Sequence, residues 1–175
     1  MEKRIVGVRG IYPLLMNRFP LEPIEAIEKR PKEEQAEIAA YRWTDGVLFF
    51  PGVNIQRSFI SGAIYSKGKG RASLQKQVAA CVMVDPEVVT FGVTDYVIDS
   101  RAVVVPATKG RIIRHRPRLD EWAVEFFLSW DELLITEPQM RKIVDDTGTR
   151  VGWGDFRPEK KGPFGRFMVV KWEKV

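Results

Sequence analysis

Two stretches of this chain carry apolar residues at helical spacing, each set between stretches that read as strands, and few folds accommodate that order. In the first, Ile55, Phe59, Ile60, Ala63 and Ile64 form one apolar stripe behind Asn54, which is placed to cap it. In the second, Thr136-Glu-Pro-Gln139 reads as a capping box with proline near the first turn. Met140, Ile143 and Val144 follow at helical spacing, and Gly148 reads as the stop. Around these helices, Glu2 to Tyr12 at most, Val88 to Phe91, Tyr96 to Val105, Arg111 to Arg116, Trp122 to Trp130 and Phe167 to Trp172 have strand composition. Residues Leu74 to Val84 fit a short helix and a strand equally well.

Without its additions the order is strand, helix, strand, strand, helix, strand. That is the split βαβ of α+β, ferredoxin-like (RRM-like) βαββαβ cores. Right-handed crossovers would put both helices on one face of an antiparallel sheet and leave the other face to a partner. One domain over residues 1–175 is expected, since no Ser/Gly or Pro linker divides the chain. Three additions stand out: an acidic helical insert at about 22–40, a basic hairpin arm at about 96–118 with its tip at Ala107-Thr-Lys-Gly110, and a glycine-rich loop at 152–165. Within the insert, residues 31–40 are expected to form a short exposed helix with Pro31 in its first turn. Asp45-Gly46 reads as a turn into a short strand, Val47 to Phe50, closed by Pro51-Gly52.

Charge is segregated along the chain. Net charge is +5, from 28 basic and 23 acidic residues. No acid occurs from Gly46 to Val84, where Arg57, Lys67, Lys69, Arg71 and Lys76 lie, or from Arg101 to Leu119, which holds four arginines besides Arg101 and Lys109. Such segregation fits one face meeting a polyanion. The run Lys67-Gly-Lys-Gly-Arg71 suits both a solvated loop and a strand contact.

The glycine-rich loop adds to this. Gly152, Gly154, Gly162 and Gly165 would let backbone approach a phosphate or a neighbouring chain closely, with Arg157, Lys160, Lys161 and Arg166 as cations. Phe164 and Trp153 are the aromatics placed to stack on bases, and packing beneath the loop is the alternative for both, for Trp153 above all.

Three segments resemble the RAMP superfamily, whose members build the backbone of CRISPR effector complexes. They are Asp45-Gly-Val-Leu-Phe-Phe-Pro-Gly-Val-Asn-Ile-Gln-Arg-Ser-Phe-Ile-Ser-Gly-Ala63, the loop Gly152 through Gly165, and Gly10-Ile-Tyr-Pro-Leu-Leu-Met16. The resemblance implies a core that polymerises head to tail along one strand, usually guide RNA, with a hairpin thumb. It places Arg18, Asn54, Gln56, Arg57, Ser58, Lys160, Lys161 and Arg166 against the strand's backbone and makes Arg101 to Arg118 the thumb. The chain is shorter than most backbone subunits, and the acidic insert occupies the region where target-cleaving members carry an aspartate, so no cleavage is transferred. A stand-alone phage or mobile-element protein coating single-stranded DNA is compatible with the same residues.

The expected partners are therefore RNA or single-stranded DNA, with further copies of the chain or effector-complex subunits, and the expected strand contacts include Lys67, Lys69, Arg71, Arg111, Arg114, His115, Arg116 and Phe164. His115 is the sole histidine and the alternative general base of a metal-independent ribonuclease. No HExxH, Gly-Lys-Ser/Thr phosphate loop, Gly-x-Ser-x-Gly or Cys/His cluster is present, so no cofactor and no metal are expected. Asp145-Asp146 point about 100° apart on a helix and make a poor metal pair. The lone Cys81 suits a reducing, cytoplasmic setting. With no run of 18 apolar residues and no visible secretory signal, no membrane partner is expected.

Overall fold

A computed structural model describes all residues 1–175. In chain order, β1 is Glu2–Gly10, β2 Leu14–Leu15, α1 Ile24–Glu28, α2 Lys32–Ala39, β3 Phe49–Pro51, α3 Gly52–Gly62, α4 Gln75–Cys81, β4 Met83–Asp85, β5 Val88–Thr90, β6 Val97–Val104, β7 Arg111–Leu119, β8 Ala123–Trp130, α5 Glu137–Asp146 and β9 Phe167–Lys174. Strands β4, β8, β1 and β9 form, in that order, an antiparallel sheet. The crossover from β1 to β4 contains α3, and that from β8 to β9 contains α5, which gives the ferredoxin-like arrangement.

Alternation decides which face is buried. Val6 and Val8 of β1, and Val124, Phe126, Leu128 and Trp130 of β8, point to the same side as Ile55 and Phe59 of α3 and Met140, Ile143 and Val144 of α5, in one apolar core. Burying each such side chain contributes about 1.5 to 3 kcal/mol. On the opposite face Lys3, Arg9, Ala123 and Glu125 are exposed. The segment 74–84, ambiguous in sequence, is helix and then strand: α4 gives way at Val82 to β4.

Several local expectations are corrected. Helix α3 starts at Gly52 behind Pro51, so Asn54 lies inside the first turn and caps nothing. Ile64 is exposed and falls outside the apolar stripe. The capping box of Thr136 and Gln139 is present, with Thr136 N donating to Gln139 Oε1 at 3.0 Å. Gly148 does not stop α5, because the chain continues through a π turn, Thr147–Val151, and leaves it at Gly152, φ 72°. Gly148 is small for another reason: a Cβ there would overlap the Phe167 carbonyl oxygen. Helix α2 is not freely exposed; Ala36 and Ala39 are buried where it packs on β7.

The basic arm is β6 paired with β7, and β2 continues its sheet through Leu14–Leu119 and Leu15–Arg118. Its lower half belongs to the body of the protein. Arg116 is buried, and Met16 N donates to Pro117 O at 2.9 Å. Only the part beyond Arg101 and Arg114 projects as an arm, and its tip turns at Lys109, φ 54°.

Candidate nucleic-acid interface

A polar cleft of about 270 Å³ lies between the first turns of α3 and the glycine-rich loop. Asn54, Arg57, Ser58 and Ser61 line it from α3; Gly152, Trp153, Gly154, Asp155, Arg157 and Glu159 line it from the loop; Asn17, Tyr41 and Phe50 complete it. The two walls are joined at depth. Trp153 Nε1 donates to Ser58 Oγ at 2.8 Å, and the Trp153 ring stacks on Phe50 with centroids 5.6 Å apart. Trp153 is thus fully buried and structural, the packing alternative from the sequence.

Within the cleft most charges are already paired. Asp155 accepts from Asn17 Nδ2 at 3.1 Å and forms an ion pair with Arg116, whose side chain is 4% exposed. Arg157 is held by Glu159 at 2.8 Å and by the Gly154 carbonyl at 3.0 Å. That leaves Arg57 as the lining cation with no partner, so the unneutralised charge facing the cleft is positive. Such a group meets an anion without first breaking an ion pair. No three His, Cys, Asp or Glu side chains gather where they could share a metal ion.

The loop glycines do a different job from the one their pattern suggested. A Cβ at Gly165 would overlap the Trp153 carbonyl oxygen, one at Gly162 that of Phe156, and one at Gly154 that of Leu15. The glycines let the loop fold tightly on the chain itself. The close backbone approach seen at these three glycines is internal.

Of the sequence-derived contacts, Asn54, Arg57 and Ser58 meet at the cleft. Lys160, Lys161 and Arg166 are exposed and unpaired on the loop that forms its far wall. Arg18 is exposed, but its Nε donates to the Ile38 carbonyl at 3.2 Å and so helps hold the end of α2. Gln56 leaves the cleft altogether, donating to Val82 O at 2.8 Å. Phe164 is only 3% exposed and has no free face for a base. Lys67, Lys69 and Arg71 lie beyond the C-terminal end of α3, away from Asn54 and Arg57 in its first turns.

On the arm, Arg114 faces Arg101 across the ladder and Arg111 faces Val104; neither arginine of β7 has an ion-pair partner. Arg116 is spent on Asp155, and Arg118 on Asp120 and Asp99, which hold its guanidinium more firmly protonated. His115 Nδ1 lies 2.7 Å from Ser100 Oγ, and no carboxylate bonds to it. The basic residues come from three parts of the chain, the cleft and its loop, the arm, and the segment past α3; Arg101 of the arm meets the loop, its guanidinium 4.7 Å from the Phe164 ring centroid. Sequence reasoning missed Asn17, Tyr41 and Asp155 as lining residues. Asp155 was visible only as one acid in a basic loop, and no local signal marked the other two.

No protein-family model matches the chain, and no curated protein is similar to it. Among solved structures, it is similar to a chain of the type III-B Cmr-beta assembly, determined by cryo-EM bound to cognate target RNA, with TM-score 0.50 and 12% sequence identity. The match covers 99% of this chain and 61% of that one, so this chain spans about three fifths of its neighbour's length. What the two share is the fold. No helix is long and apolar enough to cross a membrane.

Proposed function

We infer that this chain is a RAMP-like, non-catalytic protein that binds single-stranded nucleic acid, RNA in preference, and assembles head to tail along the strand as CRISPR effector backbones do. The observation that carries the reading is the cleft between α3 and the glycine-rich loop, with Arg57 unpaired inside it and Lys160, Lys161 and Arg166 exposed and unpaired farther along the same loop. Support comes from the fold shared with the Cmr-beta chain, whose assembly holds RNA, and from the RAMP-like segments, which supply both walls of the cleft. Phosphate contacts carry no base identity, so affinity should be similar for different sequences. Five or six such contacts would give a slope of about −4 in log affinity against log salt.

The first test is purification from the expression host. An absorbance ratio typical of nucleic acid that falls on ribonuclease but not deoxyribonuclease treatment supports RNA; the reverse assigns single-stranded DNA and the stand-alone reading. Clean protein that retains no labelled strand on filters at low salt would sink the proposal.

A ribonuclease using His115 is the second reading, and the Ser100–His115 hydrogen bond at 2.7 Å is its one favourable feature. A general base also needs a partner acid. Labelled RNA incubated without metal with wild type and His115→Ala decides it: intact RNA in both lanes removes the enzyme, and cleavage by wild type alone establishes it.

A further inference from the structure

We propose that Tyr12 and Phe156 form a stacking platform for unpaired nucleobases, a subsite that rests on the strand-binding reading above. Phe156 adopts φ 48°, left-handed backbone that costs a bulky L-residue about 1 to 2 kcal/mol. The surrounding chain enforces it. Phe156 N donates to Asp155 Oδ1 at 3.0 Å, and its carbonyl accepts from Phe164 N at 3.2 Å. That carbonyl fills the space a Cβ on Gly162 would need. A strained turn that buried an aromatic ring would be explained by packing; this one leaves Phe156 37% exposed.

Tyr12 is 43% exposed and meets the same neighbour. Its ring contacts Phe164 edge to face, centroids 5.3 Å apart, while Phe156 lies 6.0 Å from Phe164 at 33°. The Arg101 guanidinium sits 4.7 Å from the Phe164 centroid. Buried Phe164 is thus a pedestal carrying two exposed rings and a planar cation. Bases stack on aromatic rings and guanidinium planes. Lys160, Lys161 and Arg166, unpaired on the same loop, supply charge for the intervening phosphates. A partner that presents flat apolar faces and repeated negative charge together is a single strand; an acidic protein surface presents the charge alone.

The test compares wild type with Tyr12→Ala/Phe156→Asn, the asparagine chosen because it tolerates left-handed backbone. Fluorescence anisotropy is read on labelled oligouridylate and on an abasic strand of equal length. Wild type should bind the base-bearing strand at least about tenfold more tightly, and the double variant should bind both strands at the wild type's abasic affinity. Tyr12→Leu, which keeps an apolar contact to Phe164, and thermal melts of each variant separate lost stacking from lost folding. Equal affinity of wild type for both strands overturns the platform while leaving strand binding intact. Unchanged strand affinities with self-association lost in the double variant would mark the patch as a protein contact and also overturn it. Binding of neither strand removes the underlying reading and the platform with it.

Discussion

Trp153 Nε1 donates to Ser58 Oγ at 2.8 Å, and that buried bond ties the glycine-rich loop to α3 across the floor of the cleft. Ser58→Ala leaves the indole N–H without a partner and should cost about 1 to 3 kcal/mol in urea denaturation. Because the loop is then less firmly seated, strand affinity should fall as well. Unaltered stability would show that the bond contributes nothing net.

Replacing Lys160, Lys161 and Arg166 together by alanine should weaken binding to all sequences alike. If each makes one phosphate contact, the salt slope should become shallower by about 2. Anisotropy titrations at several salt concentrations measure both, and a variant that binds like wild type excludes the loop.

The glycines separate into two classes that stability measurements can distinguish. Gly46 has φ 87° and open space where a Cβ would go, so Gly46→Ala should cost only about 1 kcal/mol of backbone strain. Gly165, φ 76°, has the Trp153 carbonyl there, and Gly165→Ala should be much worse, displacing the loop and exposing Trp153. Tryptophan emission shifted to the red in the second variant alone would report this.

Acid sensitivity should centre on Glu137. Its hydrogen bonds from Arg4, at 2.6 and 2.9 Å, and then from Trp172 hold its carboxyl down to about 2. A carboxyl depressed on folding contributes stability above its unfolded value near 4.5, and that stability is lost as pH falls toward about 2. Glu137→Gln keeps an acceptor for Trp172 but removes the charge facing Arg4. The variant should be less stable at neutral pH, by no more than about 1 kcal/mol because the Glu137 carboxylate is partly exposed and screened by solvent, and should lose less of its stability between pH 4.5 and 2 than wild type.

Shortening the arm tests assembly. Ala102 and Ile113 pair directly, so joining them by a two-residue Asn-Gly turn removes the tip and leaves buried Asp99, Arg116 and Pro117 in place. The product should melt like the full chain but fail to form multimers on a long strand in light scattering. Excision of the whole of Arg101 to Arg118 would instead remove the partners of Met16 and Asp155, Pro117 and Arg116.

Local signals accounted for most of the fold. The alternation in β8, the Thr136 capping box and the hairpin tip at Lys109 each depend on residues a few positions apart, and each is present. Burial and pairing depended on residues far away in the chain. The exposure of Phe156, the pairing of Arg116 with Asp155 and the seating of α2 on β7 all arise from chain crossings that no short window contains. Phe164 shows the limit: an aromatic among glycines and cations looks like a base contact until Tyr12, 152 positions earlier, is found against it.

Asp155 joins parts of the chain that are far apart in sequence. Its carboxylate holds Arg116 at the root of the arm and Asn17 beside β2, while its amide donates to Leu15 O at 2.8 Å. One residue thereby fastens a projecting lever to a mouth, so a substitution that removes its carboxylate should loosen the root of the arm and the rim of the cleft together.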